Sequence, residues 1–97
     1  MYLYAWRDSD ESKNHEWPGV ELTSIGKNSF GELIYSATID ISEFDHIIFN
    51  NGKGEQTQDI DLAGITNNTG FYCDKSSQNS QGHYKYGTYE FDPSYIV

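Results

Sequence analysis

The sequence predicts an all-β protein, a single antiparallel β-sandwich of immunoglobulin-like type. Three observations predict it. Short segments alternate apolar and polar residues with the period of two that marks a half-buried strand. Turn signals recur between them, at Pro18-Gly19, Asn28 to Gly31, Asn50 to Gly54 and Asn67 to Gly70. No stretch carries the 3.6-residue period of an amphipathic helix. Seven or so short strands punctuated in this way indicate a sandwich.

The elements follow in order. Tyr2 to Trp6 reads as an edge-ward strand, with Tyr2, Tyr4 and Trp6 on one face and Leu3 and Ala5 on the other. If the small aliphatic face looks inward, three rings look outward. Asp8 to Glu16 is a polar turn region. Its acids either ligate calcium or form a solvated loop, and the absence of regular ligand spacing favours the loop. Trp17-Pro18-Gly19 punctuates sharply. Val20 to Thr23 is a short strand and Asn28 to Gly31 a turn. Leu33 to Ile41 is the longest alternating segment, with Leu33, Tyr35, Ala37, Ile39 and Ile41 on one face. His46 to Phe49 is a more fully buried strand that runs into a hairpin signal, Asn50-Asn51-Gly52-Lys53-Gly54-Glu55. Gln56 to Leu62, Phe71 to Cys73 and His83 to Phe91 read as further strands, and Ser76 to Gly82 as a polar loop. The chain forms one domain over 1–97, with 92–97 expected to begin a linker.

The composition narrows the function. The chain has 97 residues and one cysteine, which excludes an internal disulfide and a cysteine-rich zinc site. Cys73 lies in an apolar-aromatic run and is expected to be a small buried hydrophobe. Aromatic residues reach 15%, so they must carry much of the burial. The formal charge of −9 disfavours nucleic acid and anionic membranes, whose recognition needs Lys and Arg. No apolar run approaches a membrane span, and Tyr2 to Ala5 reads as strand rather than signal peptide.

Catalytic constellations are missing. His15, His46 and His83 have no metal-ligand spacing, and His46, following Asp45, reads as a satisfied structural imidazole. No nucleophile elbow is present. Gly52-Lys53-Gly54 is a hairpin turn, because no helix follows it to hold a phosphate. A row of outward rings without basic charge instead suits a flat, uncharged ligand such as a sugar chain. Pyranose rings carry C–H groups on their faces and hydroxyls on their edges. The alternative is a structural or protein-interaction module in which the aromatic stripe is buried.

Tyr-x-Trp on the first strand, a polar turn into Trp-Pro-Gly, then Ile47-Ile48-Phe49-Asn50-Asn51-Gly52 and a nearby Gln56-Thr57 resemble the starch-binding carbohydrate-binding module family 26. The resemblance runs from Tyr2 to about Leu62. It implies a β-sandwich without catalytic activity, catalytic residues, metal or cofactor. It implies binding of starch, amylose, amylopectin and maltooligosaccharides, that is α-1,4-glucans, on an exposed aromatic platform. The module would be a monomeric part of a multidomain bacterial amylase or starch-binding protein, extracellular or on the cell surface. Carried over by motif, the platform rings are Tyr4, Trp6 and Trp17, and Gln56 matches a glutamine that bonds sugar hydroxyls. Lys53 and Glu55 neighbour that position in the hairpin, and Tyr2 joins the set from the start of the first strand. The tyrosines of Ser76 to Tyr89 either extend the core or add a contact the resemblance does not describe.

Overall fold

A computed structural model describes residues 1–97. The chain is all-β, with antiparallel sheets and one helical turn. The strands are β1 (Tyr2–Trp6), β2 (Val20–Glu21), β3 (Ser24–Lys27), β4 (Leu33–Tyr35), β5 (His46–Asn50), β6 (Ile60–Asp61), β7 (Thr69–Gln78) and β8 (Tyr84–Glu90). A four-stranded sheet runs in the order β2-β1-β5-β6, and β3-β4 and β7-β8 form two hairpins. A parallel bridge from Thr57 to Tyr84 ties the second hairpin to the edge of the sheet.

The core forms as alternation requires. Directly paired residues share a face, and the pairs Leu3–Phe49, Ala5–Ile47 and Ile47–Ile60 line the inner side of the sheet. Leu3, Ala5, Ile47 and Ile60 are buried there with Phe44 and Leu62. Phe71 and Tyr86 pack against this cluster from the β7-β8 hairpin, which makes the second layer. Buried Thr57 closes the join: its N–H donates to the Phe49 carbonyl at 2.9 Å, and its hydroxyl accepts from the Phe49 N–H at 3.2 Å. With so few buried aliphatic side chains, each matters. Truncating Ile47 or Ile60 to alanine costs about 2–5 kcal/mol.

Several boundaries differ from the sequence reading. β1 lies one strand in from the edge of the sheet, with β2 paired along Tyr2 and Leu3 only and β5 along its whole length. The segment from Leu33 to Ile41 is strand only to Tyr35. A strand persists only while a neighbour accepts its hydrogen bonds. The register ends at Ser24–Tyr35, and the next candidate partner is committed elsewhere, since the Leu22 N–H donates to the Met1 carbonyl at 2.8 Å. Ile39 still packs on the core, whereas Leu33 and Ile41 are exposed. Ser24–Lys27, unassigned from sequence, is the strand that β4 pairs with. β7 continues to Gln78 through part of the expected loop, which shrinks to the turn that Asn79 caps by accepting from the Gln81 and His83 N–H groups, both at 3.0 Å. Cys73 is exposed, not buried: its side of the hairpin faces inward, but the core ends near Phe71. The last residues form a 3-10 turn, Pro93–Tyr95, and the Val97 N–H donates to the Lys27 carbonyl at 2.9 Å.

Candidate functional site

The outer face of the β1-β5 ladder carries the rings. Leu3 and Ala5 are buried and Tyr2, Tyr4 and Trp6 half-buried, so the aliphatic face looks inward and the aromatic face outward. The β5 residues opposite the rings are Asn50, Ile48 and His46. Ile48, although on the outer face, is buried, because it lies beneath the aromatic layer opposite Tyr4.

Trp17 reaches this face through a loop that is locked onto β1 beyond its pairing with β2. Asn14 imitates a paired strand. Its N–H donates to the Ala5 carbonyl at 2.9 Å, its Oδ1 accepts from the Ala5 N–H at 3.0 Å and its Nδ2 donates to the Leu3 carbonyl at 3.0 Å. A turn closed by the Gly19 N–H on the Glu16 carbonyl at 2.8 Å then presents Trp17 and Pro18, joined by a cis peptide bond. Gly19 has φ of +105° and presses on the Leu3 carbonyl, so that any Cβ there would overlap the backbone. Asn50, 4% exposed, holds the other side: its Nδ2 donates to the Pro18 carbonyl at 2.9 Å and its Oδ1 accepts from the Gly52 N–H at 2.9 Å.

The result is one contiguous row. The Tyr4 and Trp6 centroids are 5.5 Å apart with planes at 32°. Trp17 stands edge-on to Tyr4 at 5.2 Å and 65°, with 49% of its surface exposed. His46 stacks on Trp6 at 5.3 Å and 19°. The Trp6 indole Nε1 donates to Asp8 Oδ1 at 2.9 Å. His46 Nδ1 lies 2.9 Å from Asp45 Oδ1 and 3.1 Å from Asp8 Oδ2, and the Asp8 N–H donates to Asp45 at 3.2 Å. Burial alone would lower the His46 pKa. The hydrogen bond to Asp45 and the charges of Asp8, Asp45 and Asp61 outweigh it and raise the pKa above its usual value. Asp8, Asp45 and His46 bring their ligand atoms within 4.8 Å of one another, and these atoms serve the hydrogen bonds that orient Trp6.

The family model of Starch-binding module 26 (CBM26) matches residues 1–62. The chain belongs to this family. No curated protein and no solved structure matches the chain. The matched residues contain the whole ring row and the hairpin beyond it, and the family is one of non-catalytic starch-binding modules.

Within this CBM26 module, the structure brings together Tyr4, Trp6 and Trp17. It spreads out the other residues expected from sequence. Tyr2 lies on the same face further along β1, its ring against Gly52 of the hairpin. Gln56 pairs with Asn50 and so shares the face, but β5 separates it from β1, two strand spacings or about 10 Å. Lys53 is exposed at the hairpin tip. Glu55 turns away from the rings. Its carboxylate accepts from the Tyr84 hydroxyl at 2.8 Å and from the Asn51 side chain at 3.0 Å, and Lys75 lies 3.5 Å away. The Tyr84 hydrogen bond, with Lys75 behind it, holds the Glu55 pKa below the usual range.

Other residues join the site that the sequence did not single out. A shallow hollow beside the rings is lined by Tyr4, Trp6, Arg7, Asp8, Glu11 and Lys13. Arg7, Glu11 and Lys13 can donate to or accept from hydroxyls there. The sequence reads His46 as structural, and its stacking on Trp6 depends on the pairing of Trp6 with His46, a register that a single sequence does not reveal. The one signal was the acidic company, Asp8 and Asp45, flanking the two aromatic strands.

Proposed function

We propose that this CBM26 module binds α-1,4-linked glucan chains, maltooligosaccharides and the amylose and amylopectin of starch, on the Trp17-Tyr4-Trp6 row, and so holds a larger secreted amylolytic or starch-binding protein on its substrate. The observation that carries the reading is the curvature of the row. Successive ring planes are inclined to each other by 65° and 32°, so the rings do not form a flat shelf, and we read the row as a trough. A curved row stacks on a coiling α-glucan and meets the flat ribbon of a β-1,4-glucan poorly. The half-exposed Trp17 ring disfavours the reading in which the stripe is core.

Each role follows from position. Tyr4, Trp6 and Trp17 stack on pyranose faces. The hollow with Arg7, Glu11 and Lys13 offers hydrogen bonds to hydroxyls at one end of the row. Tyr2, Gln56 and Lys53 extend the surface at the hairpin end, and Glu55 acts through the hairpin rather than on the ligand. The trough is shallow and open, so affinity is weak, about 4–8 kcal/mol or millimolar to micromolar. A multidomain parent compensates by avidity. An extracellular or cell-surface bacterial setting follows from the same reading, since starch granules are met outside the cell.

Calorimetric titration with maltoheptaose, with cellohexaose as control, tests the proposal. Heat with the first and none with the second supports the trough. Silence with both from the folded domain refutes it.

A further inference from the structure

The residues beyond the matched segment carry a second aromatic row. In the β7-β8 ladder Gly70 pairs with Tyr89 and Tyr72 with Gly87. Each tyrosine leans across to its partner strand: a Cβ on Gly70 would overlap the Tyr89 ring, and one on Gly87 the Tyr72 ring. Both rings therefore lie flat on bare backbone. Tyr72 is 56% exposed, Tyr89 40% and Tyr95 49%. The Tyr72 and Tyr89 centroids are 6.5 Å apart at 35°, and Tyr89 and Tyr95 6.3 Å apart at 48°. Tyr95 is held by the 3-10 turn, whose Asp92 side chain accepts from the Ser94 N–H at 2.8 Å. Phe91 meets Tyr95 edge-on at 6.0 Å.

We propose that Tyr72, Tyr89 and Tyr95 form a second glucan-binding site, distinct from the Trp17-Tyr4-Trp6 row and resting on the same reading of the ligand. The form of the row argues for that occupant. The Tyr72-Tyr89 tilt of 35° is close to the 32° of Tyr4-Trp6, so one pair of each row is set at a similar angle. The rings are phenols, apolar on the face and hydrogen-bonding at the rim, which suits a ligand with C–H faces and hydroxyl edges. The next pair along the same face is Asp74–Lys85, which adds no net charge. The chain's charge of −9 opposes an anionic partner. A ring laid over a cross-strand glycine also restores strand stability, and that accounts for Tyr72 and Tyr89 taken singly. It does not account for Tyr95, brought alongside from a separate turn to lengthen the row. Rings already fixed in place lose little freedom on binding.

The two rows look away from each other. Phe49 on the inner side of β5 and Phe71 on β7 meet in the core at 5.6 Å, so Tyr72, next to Phe71, points outward on the opposite side of the layer. A module with rows on both sides holds two glucan segments at once, and on a polymer this multiplies retention.

The test is a backbone amide NMR titration of the 97-residue module with maltoheptaose to millimolar concentration. Gly19 and Gly52 report on the first row, Gly70 and Gly87 on the second. Both pairs should shift. In Trp17→Ala the shifts of Gly70 and Gly87 should persist, and in Tyr72→Ala/Tyr89→Ala only Gly19 and Gly52 should move, with retention on a soluble-starch gel falling about tenfold or more. Shifts confined to Gly19 and Gly52 in the parent module overturn the second site and leave the first intact. No shift at either pair overturns both. The parent titration decides the matter even if the double variant fails to fold.

Discussion

Asn50→Ala should damage stability and glucan binding together, although Asn50 lies under the platform rather than on it. The side chain is 4% exposed and makes two hydrogen bonds, to the Pro18 carbonyl and from the Gly52 N–H, each 2.9 Å. Gly52 sits in an exposed turn, where water replaces the lost acceptor, so that bond is worth about 1 kcal/mol. Pro18 is half-buried, and its carbonyl left unpaired costs about 1–3 kcal/mol. The sum is about 2–4 kcal/mol, which for a domain of this size lowers Tm by about 10–25 °C. Binding falls because the Trp17 turn loses its tether to the sheet. If the binding-competent loop drops to about a tenth of the population, the apparent Kd for maltoheptaose rises about tenfold. Asn50→Asp separates the two effects. It keeps the acceptor for Gly52 and loses the donor to Pro18, so the hairpin stays and the Trp17 turn loosens. Calorimetric unfolding and titration of both variants are the assays. An Asn50→Ala protein that unfolds as expected yet binds within twofold of the parent would refute the reasoning, since the Trp17 turn would then owe nothing to its tether.

Trp17→Ala should cut maltoheptaose affinity tenfold or more. It should cost no more than about 2.5 kcal/mol of stability, because half of the ring's surface stays in water; titration and thermal unfolding read the two separately. Gly19→Ala should cost about 4 kcal/mol or more, or prevent folding, because its φ of +105° and the Leu3 carbonyl leave no room for a Cβ; denaturant unfolding measures it. His46 should make stability depend on pH. Its folded pKa lies above the unfolded value, so its contribution is complete below about pH 6.5 and is lost as pH rises through the folded pKa. Tm scanned from pH 6 to 9 should therefore decline more in the parent than in His46→Gln. Equal slopes in the two proteins would count against the His46–Asp45–Asp8 linkage.

The ring row was legible because strand alternation is a local property. Tyr2, Tyr4 and Trp6 occupy one face whatever they pair with, and Trp-Pro-Gly fixes a turn wherever it occurs. The stretch that misled was Leu33 to Ile41. It alternates well, but alternation states a capacity for strand, and only Ser24–Lys27 offers it a partner, up to Tyr35. The same limit hid the stacking of His46 on Trp6 and the hydrogen bond from Asn50 to the Trp17 turn. Both contacts depend on the β1-β5 register or on a loop folding back across 32 residues, and neither has a sequence spacing to read. Cys73 misled for a different reason: its neighbours Phe71 and Tyr72 split between the two faces of the hairpin, one to the core and one to water.

A platform for weak ligands must satisfy two opposed demands. A ring that stacks on sugar must be wet, and a wet, mobile ring loses freedom on binding that a shallow site cannot recover. The structure meets both by giving each ring a seat while leaving part of its surface open. Tyr4 lies over buried Ile48, Trp6 on His46, Trp17 edge-on to Tyr4 and Tyr2 against Gly52. Three of these seats, for Tyr2, Tyr4 and Trp6, come from β5 and its hairpin, the strand whose inner residues Ile47 and Phe49 pack in the core. Core order is thus passed through one strand to the face proposed to meet the ligand. Stability and binding should therefore be coupled at Asn50, which lies on that strand, and separable at Trp17, which is the last ring in the row and supports no other.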